Sequence, residues 1–185
     1  GLHRDVHKAL LRGLWLHLDK EETWGVFERA VTHTDHVVAA CVGDVPADKL
    51  SEAQDARLCA LYARLIARPE AEARISALQK VWHSAIRDGE GVILDTCLTR
   101  LESAYPDEVE AAASGVTYRA QESDAPRVAK RVTAIKHNRR AVLALVRQWR
   151  ARIAHVGLAR HARAVYGLCC DALLSDPRLA EVLVR

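Results

Sequence analysis

The chain has 185 residues, half of them hydrophobic and 28% charged, with a net charge of +3. That length suits one domain with a proper core, and that composition excludes a disordered tail. Ala, Leu and Val dominate the apolar set, while Phe occurs once and Tyr four times, a balance that favours helix over strand.

A first helix is predicted from about Arg4 to Leu18, with Val6, Leu10, Leu11, Leu14 and Leu18 forming a one-sided apolar stripe. Asp19 is positioned to cap a second helix, and Glu22, three residues on, completes a capping-box-like pattern. Trp24, Phe27 and Val31 line that helix, and a short third one follows Thr34. Gly43 to Asp48 reads as a loop around Pro46. The next helix carries Leu58, Leu61, Tyr62, Leu65 and Ile66 at i, i+3, i+4, i+7 and i+8. Pro69 suits the first turn of its successor, which carries Ile75, Leu78, Trp82, Ala85 and Ile86.

Gly89 and Gly91 precede a helix with Ile93, Leu94, Cys97, Leu98 and Leu101. Pro106 opens a short helix predicted to end near Ser114, leaving Ser114 to Asp124 as the candidate long exposed loop. Pro126 opens the next helix, with Val128, Val132 and Ile135. Asn138 can cap its partner, which carries Val142, Leu145, Val146, Trp149 and Ile153. Gly157 separates a helix with Val165, Leu168 and Leu173, and Asp176-Pro177 opens a terminal helix with Leu179, Val182 and Leu183. No βαβ alternation is visible. The pattern predicts an all-α, α-solenoid-like domain over 1–185, built of consecutive antiparallel hairpins with about 9–11 helices.

The apolar run Ala141 to Val146 falls far short of the roughly 20 residues a membrane-spanning helix needs, so no membrane insertion is expected. The sequence begins at Gly1 and contains no Met, as the mature form of an organelle-imported protein or an excised segment would. Cys41, Cys59, Cys97, Cys169 and Cys170 are odd in number and irregular in spacing, with no CxxC pair. They read as buried small side chains in a reducing compartment rather than as a disulfide framework.

Charge is distributed unevenly. Residues 1–124 hold 14 Lys and Arg against 21 Asp and Glu, whereas 125–185 hold 13 against 3. Arg127, Lys130, Arg131, Lys136, Arg139, Arg140, Arg147, Arg150, Arg152, Arg160 and Arg163 crowd the basic part. A solvated face accounts for such a run, and so does an anionic partner. Arg outnumbers Lys nine to two in this set, which suits bidentate contact with carboxylate or phosphate. RNA would be held through phosphates, and an acidic protein surface through charge that sets orientation. Only Trp149 and Tyr166 interleave as aromatics, too few for a single-strand stacking platform, which favours a protein partner.

Other candidates for chemistry are sparse. His3/His7 and His33/His36 have helix-face spacing, but a closed zinc site needs four ligands and Cys41 stands alone nearby. GxG occurs once, at Gly89-Glu90-Gly91, between predicted helices, and no GxSxG, P-loop or HExxH is present. Glu21-Glu22 and Asp107-Glu108 fall at predicted helix N-termini, where the helix dipole explains them. Trp15, Trp24, Trp82 and Trp149 lie on or beside apolar stripes and read as core. No catalytic, cofactor-binding or metal residue is assigned.

Lys8 to Ala30, KALLRGLWLHLDKEETWGVFERA, resembles a pentatricopeptide motif through Leu11, Gly13 and Leu14 in its first helix and Thr23, Trp24 and Phe27 in its second. Val165 to Val182 resembles a degenerate second copy. Size and helical-pair layout are similar to the F1-associated pentatricopeptide-like accessory subunit of mitochondrial ATP synthase in flagellate protists. That resemblance implies a non-catalytic subunit on the matrix side, docked on the F1 sector. The motif alone is also compatible with an RNA-binding helical-repeat protein of mitochondrial RNA processing or the mitoribosome. Val128 to Ile153 resembles the last helices of the TFIIS N-terminal domain, which implies a transcription interaction module.

Overall fold

The computed structural model describes residues 3–81 and 91–153. Those residues form nine α-helices joined by turns and short 3-10 segments, with no strand among them. The all-α expectation is met. The chain divides into two compact units, Gly1–Thr96 and Cys97–Arg185. The predicted elements beyond residue 153, with Cys169, Cys170 and the second motif copy, lie outside the described residues, as do Trp82, Ala85, Ile86 and Gly89.

The first unit contains α1 (Arg4–Gly13), α2 (Glu21–Ala30), α3 (His36–Ala40), α4 (Glu52–Ile66) and α5 (Ala71–Val81). His3 caps α1, its Nδ1 accepting from the Asp5 amide at 3.3 Å. Past Gly13 the chain tightens into a 3-10 turn, Leu14–His17. The Lys20 amide then donates to the His17 carbonyl at 3.1 Å. That turn holds Asp19 one residue too early to cap α2, whose N-cap is Lys20 without a side-chain bond. The capping box predicted at Asp19 is therefore absent. Glu21 and Glu22 still favour the positive end of α2.

The stripe predicted on α1 is corrected too. Leu11 and Leu18 are buried and Leu14 is half-buried, but Val6 and Leu10 are exposed. α1 is apolar on two opposite sides.

Trp24 and Phe27 of α2 meet edge to face, ring centroids 5.8 Å apart, and both are buried. The Trp24 indole N–H donates to the Leu18 carbonyl at 2.9 Å. α4 opens with a reciprocal Ser51/Gln54 capping box. Its predicted stripe, Leu58 to Ile66, is buried throughout. The Tyr62 hydroxyl donates to the Gly43 carbonyl. A methyl group on Gly43 would lie 2.6 Å from that hydroxyl oxygen, and the buried Tyr62 ring has no room to retreat, so glycine is required there. α5 opens at Ala71, two residues beyond Pro69. Buried Arg74 closes the α4–α5 turn by donating to the Arg68 and Pro69 carbonyls at 2.8 and 2.7 Å.

Polar pairs between alternate helices recur at one spacing. Gln54 donates to the Leu18 carbonyl at 2.7 Å, and Arg57 pairs with Glu21 at 2.8 Å, each across 36 residues. Arg68 donates to the Val31 carbonyl at 2.7 Å, across 37. His36 approaches Glu72 at 4.0 Å and Asp44 meets Lys80 at 2.8 Å, again 36 apart. Numbers rise together along both members of each set, so α2 runs parallel to α4, and α3 to α5.

The division at Thr96 falls within α6 (Val92–Arg100); α7 (Pro106–Arg119), α8 (Ala125–Ala134) and α9 (Arg139–Ile153) belong to the second unit. The loop predicted at Ser114 to Asp124 is largely helix: α7 continues to Arg119, with Ser114, Gly115, Val116 and Thr117 buried. Its small side chains let α7 pack closely on α9, whose Ala141, Leu145 and Trp149 are buried. Burying Leu145 and Trp149 stabilises by about 1.5–3 kcal/mol each. Pro106 and Pro126 occupy the first turns of α7 and α8, as read from the sequence. The Asn138 side chain accepts from the Ala141 amide at 3.2 Å, the predicted cap. Buried Glu108 accepts from the Ser103 hydroxyl at 2.7 Å and faces Arg100 at 3.6 Å.

Candidate functional site

Nine of the eleven cations read from the sequence lie on α8, α9 and the turn between them. On α9 the sidedness is sharp. Arg139, Arg140, Arg147 and Arg150 are exposed, whereas Ala141, Val142, Ala144, Leu145, Val146 and Trp149 are buried. On α8, Arg127 and Lys130 are exposed and Val128 and Val132 are buried. The amphipathic spacing therefore aims the charges outward as it turns the apolar side chains in.

Several of these cations are held within the unit. Arg127 pairs with Asp124 at 3.0 Å, Arg131 with Glu102, and Arg147 with Glu110. Arg140 donates to the Ala104 carbonyl at 3.2 Å. These bonds fix the arginine stems against α7 and the turns beside it. The side chains of Lys130, Lys136 and Arg139 are exposed and have no hydrogen-bond or carboxylate partner among the described residues. Arg152 belongs to α9, and Arg160 and Arg163 lie outside the described residues.

At the start of α9 the local field is not offset: it has no acidic residue in its first turn and opens with Arg139 and Arg140, whereas Asp124 stands at the start of α8. Cations at the positive end of a helix dipole are unfavourable by about 0.3–1 kcal/mol each. A carboxylate or phosphate brought to that end would relieve the repulsion. Chemically, these exposed cations can bind anionic groups, and the arginines already held by carboxylates are fixed in orientation.

The histidines are arranged differently from their spacing. His7 of α1 and His33, in the turn between α2 and α3, meet edge to face at 4.9 Å. His3 and His33 each accept a backbone amide, from Asp5 at 3.3 Å and Asp35 at 3.0 Å, so they act as local caps. Among the described residues no group of three or more His, Cys, Asp or Glu is placed to hold a metal ion. Cys41, Cys59 and Cys97 are buried, and desolvation pushes the Cys41 thiol up. Trp24 and Trp149 are core, whereas Trp15 is only half-buried. No described helix is long and apolar enough to cross a membrane.

Sequence reasoning did not find Glu102 and Glu110, which tie down Arg131 and Arg147 from 29 and 37 residues away. No local signal carries a pairing of that range. Nor did it find the Arg57 clamp. Arg57 binds Glu28 at 2.6 Å and Glu21 at 2.8 Å while stacking over Trp24 at 5.5 Å. No family model, no curated protein and no solved structure matches the chain.

Proposed function

We propose that this chain is a non-catalytic accessory subunit, built of successive antiparallel hairpins, that docks its basic face on an acidic protein surface of a larger assembly. The observation that carries the reading is the exposed set Lys130, Lys136 and Arg139, without a hydrogen-bond or carboxylate partner among the described residues, on the same stretch of chain as arginines already anchored by carboxylates. Anchored cations order the face, and unpaired ones are left for a partner.

The hairpin reading is supported by the repeated 36–37-residue offset between parallel helices. It occurs within the first unit, as between Arg57 and Glu21. It occurs separately within the second, where Arg140, Arg147 and Asn138 reach Ala104, Glu110 and Leu101. Stacked helix pairs produce such a register, because each hairpin lays its two helices beside their counterparts in the next. The pentatricopeptide likeness of Lys8 to Ala30 makes the mitochondrial F1 sector, on the matrix side, the assembly to test first.

Reversing the three unpaired cations together, Lys130→Glu, Lys136→Glu and Arg139→Glu, should leave the helical circular dichroism and melting temperature nearly unchanged, because all three are exposed. Partner recovery in a native pull-down should fall at least about tenfold. Undiminished recovery would contradict the proposal. Loss of bound RNA instead of bound protein would turn it towards phosphate recognition.

A further inference from the structure

α1 carries an apolar stripe that faces away from the first unit. Val6, Ala9, Leu10 and Gly13 are spaced i, i+3, i+4 and i+7, and all are exposed. Leu16, in the following turn, extends the stripe. Val6 is 43%, Leu10 57% and Leu16 82% exposed. Tyr105 is the only other large apolar side chain so exposed among the described residues. Apolar exposure is thus concentrated on one short segment, which marks an interaction surface. Its relief suits a helix. A methyl group on Gly13 would meet no atom within 4 Å, so Ala9 and Gly13 leave hollows beside the Val6 and Leu10 knobs.

The charges along its edge select the occupant. Asp5 and Arg12 are seven residues apart and share one flank of the stripe, the acid near the start of α1 and the base near its end. Their side chains are 76% and 54% exposed. Their contacts within the chain are long, 3.5 Å to His3 and 3.8 Å to Asp44. A second α1 laid antiparallel sets Asp5 beside Arg12 of the second copy, twice over. A parallel two-fold pair would leave the two flanks on opposite sides of the seam, where these charges do not meet. We infer that α1 is a self-association surface on which two copies of this chain pair antiparallel about a two-fold axis, each Leu10 and Val6 entering the hollows at Ala9 and Gly13 of the other copy. The stripe is smaller than a standard interface of roughly 800 Å² per partner, so association in the range of about 10–100 µM is expected.

Sedimentation equilibrium of the full chain, from about 5 to 500 µM, tests this. The expected result is a reversible monomer–dimer equilibrium that Leu10→Asp weakens at least about tenfold with unchanged helicity. Asp5→Arg should weaken it as well, and Asp5→Arg with Arg12→Asp should restore it. A monomer at every concentration would overturn the inference, as would a dimer indifferent to Leu10→Asp. A dimer sensitive to Leu10→Asp but indifferent to both charge variants would overturn the antiparallel pairing. Capture of a different protein on this face by a chain that stays monomeric would overturn it too.

Discussion

Two tryptophans near the first turn show how much one hydrogen bond decides. The Trp24 indole N–H reaches the Leu18 carbonyl, and its ring is buried under Arg57 and against Phe27. The Trp15 indole nitrogen is buried without a hydrogen-bond partner, on a side chain that is half-buried. A buried donor without an acceptor is a cost that phenylalanine would remove, whereas a satisfied donor is a gain it would lose. Trp24→Phe is therefore expected to destabilise by about 1–3 kcal/mol, from the lost bond and the void it leaves. Trp15→Phe should stay within about 0.5 kcal/mol of the parent chain. Urea denaturation of both variants measures the contrast, and equal losses would contradict it.

At the scale of helices, arginine–carboxylate pairs staple alternate elements. A hydrogen bond from Arg57 holds the Glu21 carboxyl below the usual carboxylate range; Arg4 does the same for Asp35 and, locally within the α4–α5 turn, Arg68 for Glu70. A carboxyl depressed by folding adds stability that is present at neutral pH and lost as the pH falls through its folded value. The melting temperature should hold steady from about pH 7 to 5 and fall below about pH 4. Arg57→Ala should lower the neutral-pH plateau and make the acid fall shallower, because Glu21 would then titrate alike in both states. Thermal melts followed by circular dichroism across that range check this, and a plateau reaching about pH 2 would contradict it. Helix starts at Pro106, Pro126 and Asn138 were legible in the sequence, whereas Pro69 lies two residues ahead of α5 rather than in its first turn. Pro106, Pro126 and Asn138 all sit where their chemistry requires. Asp19 misled because a 3-10 turn shifted the register by one residue. Ser114-Gly115 misled because small residues signal both a loop and a closely packed helix, and only the arrival of α9 distinguishes the two. The apolar residues of α1 were legible, but not that they divide between two sides, since Val6 and Leu10 have the same periodicity as Leu11 and Leu18.

For the molecule as a whole, the charge contrast softens once the compact units are known. The sequence boundary at Asp124 separates 14 Lys and Arg against 21 Asp and Glu from 13 against 3. The structural division at Thr96 separates 12 against 15 from 15 against 9. The second unit thus includes Glu102, Glu110 and Asp124, which neutralise part of the basic face from inside. The cations were legible by composition alone. Which of them stay unpaired was not, because their carboxylate partners arrive through helix packing. The same packing leaves Lys130, Lys136 and Arg139 exposed, and the proposed docking rests on them. Mass spectrometry of the complexes that co-purify with the native chain, with and without ribonuclease, tests that docking most directly. The expected result is the same stoichiometric protein partners in both preparations, F1 subunits first among those to look for. Partners that disappear with the nuclease would contradict it and assign the basic face to RNA.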